Sequence, residues 1–110
     1  MIAVIFEVTI KQGGRATYFH IAQKLKASLV DIDGFLSVER YQSLADENTF
    51  LSLSFWRDEE AIKVWRQQVE HQLAQKKGRS LLFDDYRLRV AAVLRDYGME
   101  DREQAPTQET

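Results

Sequence analysis

At 110 residues, with 15 basic against 17 acidic side chains, a net charge of −2 and no cysteine, the chain has the size of one domain. Disulfides, thiolate metal sites and cysteine nucleophiles are excluded. With no basic stripe to track a phosphate backbone and no apolar run near the ~20 residues of a spanning helix, neither nucleic acid nor a membrane is expected as a partner, and the default location is cytoplasmic.

Ile2, Val4, Phe6, Val8 and Ile10 recur at every second position, which predicts a strand from Ile2 to Ile10 with one apolar face. The alternate phase, Ala3, Ile5, Glu7 and Thr9, is half apolar, so its face is expected to be covered as well. This six-residue apolar start has no basic flank or small-residue cleavage site and reads as a strand, not a signal. Gly13 and Gly14 end it.

From Arg15 to Ile32 the period lengthens. Tyr18, Ala22, Leu25, Leu29 and Ile32 make one stripe, predicting a helix that stops at Asp33-Gly34. FLSVERYQS, from Phe35 to about Ser43, alternates less cleanly, and Glu39 and Arg40 suggest a strand near an edge. Leu44 to Asn48 reads as a hairpin turn before a third strand, Thr49 to Trp56. Leu51, Leu53 and Phe55 share one face of that strand, and Phe50, Ser52, Ser54 and Trp56 share the other.

Asp58 is placed to cap a helix, with Glu59 and Glu60 in the first turn where the dipole favours acids. Irregular apolar spacing from Arg66 to Val69 predicts two helical pieces, the second ending at Gly78. Leu81 to Leu94 predicts a long last strand with a bulge. Residues 1–98 are therefore expected to form the domain, and residues 99–110, polar and holding the only proline, a mobile tail or an arm that orders only against a partner.

The order strand, helix, strand, strand, helix, strand implies an α+β, ferredoxin-like βαββαβ fold, with two helices on one face of an antiparallel four-stranded sheet. The other face would carry Ile5, Phe50, Trp56 and Val93. Each large group left in water forfeits about 1.5–3 kcal/mol, so a homodimer packed sheet against sheet is expected.

The segment SFWRDEEAIKVWRQQVEHQLAQKKGR, followed by FDDYRLRVAAVLRDYG, resembles the antibiotic biosynthesis monooxygenase family of dimeric α+β barrels, as does the hairpin GFLSVERYQSLADENTFLSLSFW. The carriers are Trp65, Glu70-His71, Gly78-Arg79 and Asp85-Tyr86. The resemblance implies a pocket within each subunit between helices and sheet, lined by Trp65, and a cofactor-free reaction of oxygen with a small aromatic or quinol-type molecule. Its haem-degrading branch would place an asparagine near Phe6 and a histidine about ten residues past Trp65, where this chain has Phe6 itself and Gln75.

Such an oxygenase needs a base, donors for the resulting anion and a dry pocket. His71 is the candidate base, being available neutral at physiological pH, although a helix histidine bonded to Glu70, a carbonyl or water has the same appearance. Trp65, Arg79, Tyr86 and Arg87 are candidate donors to substrate, with Phe6 as a further substrate-binding residue. Arg87 and Arg89 also suit pairing with Glu39 on a neighbouring strand or across a dimer, and His20 is expected to have no role. Two histidines 51 positions apart make no metal constellation, and no cofactor is expected. The alternatives are a small-molecule-binding or stress-response dimer without turnover, and after it a haem-binding or haem-degrading protein.

Overall fold

The strong alternation of the first strand decides the sheet. A computed structural model describes residues 1–75 and 82–106, with side chains described for residues 1–68 and 82–106. The elements run β1 (Ile2–Ile10), α1 (Arg15–Leu29), β2 (Phe35–Gln42), β3 (Thr49–Trp56), α2 (Glu59–Gln75) and β4 (Phe83–Ala92). The sheet order is β2-β3-β1-β4, and every pairing is antiparallel. This is the expected ferredoxin-like arrangement. With partners on both sides, β1 is a central strand, which accounts for apolar residues in both of its phases.

The inner face of the sheet meets both helices. Val8, Ile10 and Phe50 pack with Tyr18 and Ile21 of α1, while Val4 and Trp56 pack with Leu29, Ala61, Ile62 and Trp65. Phe50 and Trp56 therefore belong to the core at 5% and 0% exposure, not to the open face predicted for them. The cause is register: Trp56 lies opposite Ile2 and Phe50 opposite Val8, so both share the phase that β1 turns to the helices. Leu51, Leu53 and Phe55, opposite Glu7, Ile5 and Ala3, take the outer face instead.

Two bulges explain the imperfect alternation of the edge strands. Successive pairs Phe35↔Trp56 and Ser37↔Phe55 leave Leu36 extra in β2, and Thr9↔Asp85 followed by Ile10↔Phe83 leaves Asp84 extra in β4. The second bulge resets the phase, so that Phe83 turns inward at 7% exposure.

Helix α1 ends at Leu29, short of the expected Ile32. Ile32 donates its N–H to the Leu29 carbonyl, and Phe35 donates to the Ile32 carbonyl, so the chain turns in short loops before Gly34, whose φ is +94°. Helix α2 is continuous, with no break at Arg66–Val69. No proline or glycine interrupts its span, and one buried stripe, Ala61, Ile62 and Trp65, holds its first turns to the sheet. Asp58 caps it, accepting the Ala61 N–H at 3.1 Å. The predicted second piece extended to Gly78, and residues 76–78 lie outside the described residues.

Past β4, Val93 donates its N–H to the Met1 carbonyl, and the chain then closes on itself. Gly98 N–H reaches the Asp101 carbonyl at 2.8 Å, Asp96 N–H reaches Gln104 Oε1 at 2.8 Å, and Arg102 lies over the Tyr97 ring. Residues 107–110 of the expected tail lie outside the described residues.

Candidate functional site

Between α1, α2 and the inner face of the sheet lies a cavity of about 50 Å³. Its walls are mostly apolar: Phe6 from β1, Ile21, Leu25 and Leu29 from α1, Val38 from β2, Trp65 from α2, and Leu82 with Phe83. Tyr18, Arg40, Ser52 and Ser54 supply the polar atoms. A water needs roughly 10–15 Å³ of such space, so the cavity has room for a few water-sized groups and a larger guest enters by displacing side chains.

Each wall residue is placed by the fold. Phe6 is the central inward position of β1, with Tyr86 edge-on at 5.7 Å and Phe83 at 6.2 Å between ring centroids. Trp65 is 9% exposed and tilts against Trp56 at 6.0 Å. Trp56 is held in turn by Phe35 at 5.2 Å and by its own indole N–H, which donates to Ser54 Oγ at 2.8 Å. The tryptophan that faces the cavity is thus braced by one that is fully buried.

Of the predicted site residues, Phe6 and Trp65 meet at the cavity. Tyr86 stands beside it on the same sheet face, in contact with Phe6 and Phe83. Arg87 does not reach it: paired in register with Glu7, it lies on the outer face, because neighbours along a strand point oppositely. Arg89 pairs with Glu7 at 3.1 Å and not with Glu39, since β4 and β2 are opposite edges of the sheet. His71 lies on α2, but its side chain and all of Arg79 lie outside the described residues. His20 is exposed on α1.

Arg40 and Tyr18 also face the cavity, and neither is among the site residues expected from the sequence. Arg40 is opposite Ser52 on the inner face of β2 and points its guanidinium among apolar groups. Its Nη2 donates to the Ala22 carbonyl at 3.4 Å, a long bond, and its Nε is buried without an acceptor among the described residues. Among the ion pairs of the described residues none includes it. Burial pushes the Tyr18 hydroxyl up from its ordinary value, against the opposing charge and hydrogen bond of the Arg40 guanidinium, so Tyr18 stays protonated at neutral pH and can donate. Parity along the strand was the available signal: Glu39 and Arg40 must face opposite sides, so one of them faces the helices.

Among the described residues no group of three or more His, Cys, Asp or Glu is placed to hold a metal ion, and no helix is long and apolar enough to cross a membrane.

A family model described as antibiotic biosynthesis monooxygenase matches residues 1–77. The chain is 46% identical over 93 residues to a jasmonate monooxygenase of Pyricularia oryzae, covering 84% of this chain and 43% of that protein, so it spans less than half of that relative's length. It is 36% identical over 91 residues to YqjZ of Bacillus subtilis, covering 83% of this chain and 77% of that one. Among solved structures, SnoaB, a cofactor-independent oxygenase from Streptomyces nogalater, has the same fold, with a TM-score of 0.70 at 14% identity over 86% of this chain and 94% of that chain.

Proposed function

Since the chain belongs to the antibiotic biosynthesis monooxygenase family, we propose that it is a cofactor-independent monooxygenase acting on a small aromatic or quinol-type molecule with molecular oxygen. The observation that carries this reading is the mostly apolar cavity walled by Phe6 and Trp65 between the helices and the sheet. The description of SnoaB as a cofactor-independent oxygenase supports it, and so does the monooxygenase name of the Pyricularia relative.

The substrate serves as its own reductant. A base removes a proton from an activated CH₂, the carbanion passes an electron to oxygen, and recombination forms a carbon–oxygen bond. Loss of water from the hydroperoxide leaves a carbonyl, so one oxygen atom enters the product, the other leaves as water, and the CH₂ has supplied all four electrons. His71 is the proposed base, and Trp65, Tyr86 and Arg79 the proposed partners of the substrate oxygen. Arg87 is withdrawn from that set because it lies on the outer face.

Oxygen uptake by metal-free protein tests this with quinols, anthrone-like compounds and jasmonate. Uptake is expected well above the uncatalysed rate with at least one of them, reduced about 10²–10⁴-fold in His71→Ala, as for loss of a general base, and several-fold in Trp65→Phe. No uptake with any compound would favour the binding reading without turnover. Unchanged kinetics in His71→Ala would remove the base and leave the activity.

The proposed assembly is a homodimer through the outer face of the sheet. Ile5, Leu51, Leu53 and Phe55 lie there together, beside the Glu7–Arg89 pair, and both helices are on the other side. Light scattering at micromolar protein is expected to give twice the 12.8 kDa chain mass, and a stable monomer would refute it.

A further inference from the structure

Arg40 is half-buried, with its Nε enclosed. Arginine carries five N–H donors and a permanent charge, and an enclosed donor left without an acceptor is costly. Among the described residues, Arg40 has only the long bond to the Ala22 carbonyl and the neighbouring Tyr18 hydroxyl, and no acceptor for its enclosed Nε. A structural arginine in such a place is ordinarily matched by a carboxylate, and the ion pairs of the described residues do not include one with Arg40.

The surroundings are donor-rich and acceptor-poor. Tyr18 is protonated and available, Ser52 lies directly across the strand pair from Arg40, and the Ser54 hydroxyl is already used by the Trp56 indole. The remainder of the cavity wall nearby is hydrocarbon, from Val38, Leu25 and Leu29. An anionic oxygen placed there would gain charge-assisted bonds from the guanidinium and a neutral one from the phenol, while an apolar body extended towards Trp65 and Phe6.

We infer that the Arg40 end of the cavity binds a carboxylate, so that the ligand is a small apolar carboxylic acid anchored by Arg40 and Tyr18, with its hydrocarbon part against Trp65 and Phe6. The inference rests on the reading of this cavity as the substrate site, and it adds the charge the substrate carries. A planar two-oxygen anion suits the fork of a guanidinium better than a single phenolate oxygen does.

Equilibrium titration calorimetry of the full chain at neutral pH, with cyclohexylacetate, its methyl ester and 4-ethylphenol, tests the inference without any turnover. The acid is expected to bind the wild type roughly tenfold tighter than the ester, the worth of a hydrogen bond to a charged group. In Arg40→Met the preference should fall below about twofold while ester affinity stays within about threefold, and Tyr18→Phe should lose part of the preference. Arg40→Gln is the second variant should Arg40→Met fail to give a native circular dichroism spectrum, and the wild-type comparison of acid with ester needs no variant. Equal binding of acid and ester, tighter binding of the phenol than of the acid, a preference that survives at Arg40, or no binding of any compound at millimolar concentration would each overturn the inference. Oxygen uptake decides the monooxygenase reading separately: a protein that prefers the acid yet consumes no oxygen with any compound keeps this site and loses that activity.

Discussion

Trp56→Ala is expected to lower the free energy of unfolding by about 3–5 kcal/mol, the range for deleting a buried aromatic ring. A small domain has only about 5–15 kcal/mol in all, so the variant should lie near its folding threshold. The magnitude follows from three features of the site. Trp56 is 0% exposed, its ring touches Phe35 at 5.2 Å and Trp65 at 6.0 Å, and its indole N–H is the partner of the buried Ser54 hydroxyl. Alanine would remove the ring, leave a cavity beside the existing one and strand that hydroxyl. Urea denaturation followed by far-ultraviolet circular dichroism measures the loss, with Leu44→Ala as the control: Leu44 is fully exposed in the hairpin turn, and its replacement should stay within about 0.5 kcal/mol. A loss below about 1.5 kcal/mol in Trp56→Ala would mean that the two core clusters close over the gap, and the bracing of Trp65 by Trp56 would have to be abandoned.

Gly34→Ala is expected to cost about 2–4 kcal/mol, for two separable reasons. The backbone there has φ of +94°, which an L side chain disfavours by about 1–2 kcal/mol. A Cβ would also stand 2.8 Å from the Ala61 Cβ, where neither group is flexible. The position cannot drift to relieve the contact. The Arg57 N–H donates to the Gly34 carbonyl at 2.7 Å, and the Arg57 side chain grips Asp33 at 3.1 and 3.0 Å while also bonding Asp58, the cap of α2. The hydrogen bond from Arg57 holds the Asp33 carboxyl below its ordinary range.

Gly13 provides the comparison. Its φ is +86°, but nothing lies within 4 Å of a Cβ placed there, so Gly13→Ala should show the backbone cost alone, about 1–2 kcal/mol. Thermal unfolding of both variants, and of Gly34→Ala combined with Ala61→Gly, separates the contributions. The double variant should recover the steric part of the penalty and retain the backbone part. Equal losses in Gly34→Ala and Gly13→Ala would show that α2 shifts to accept the methyl, contrary to the rigid clasp described here.

Most of the fold was legible because its signals are local. The bounds of β1 and β3 follow directly from where the alternation starts and stops, and the glycines flanking α1 and the acids at the start of α2 placed those ends to within a few residues. The cavity wall at Phe6 and Trp65 came from resemblance. Three things were not legible, each for a physical reason. Alternation along β3 divides its residues into two sets but does not say which set faces the helices, so Phe50 and Trp56 were assigned to the wrong side. A bulge changes phase within a strand, and the charges of Glu39 and Arg40 read as one edge signal when the two side chains in fact part to opposite faces. The irregular spacing in α2 suggested a break that a continuous backbone does not need, since packing of its first turns suffices.

By itself, then, the sequence determined the order and kind of the elements, because backbone sterics and the periods of 2 and 3.6 act between near neighbours. Only the tertiary structure decided which face of the sheet is inside, that Arg87 lies away from the cavity, and that Arg40 lies in it with an unanswered donor. Those outcomes depend on registers between strands far apart in the chain, where a shift of one residue exchanges core for solvent at every position.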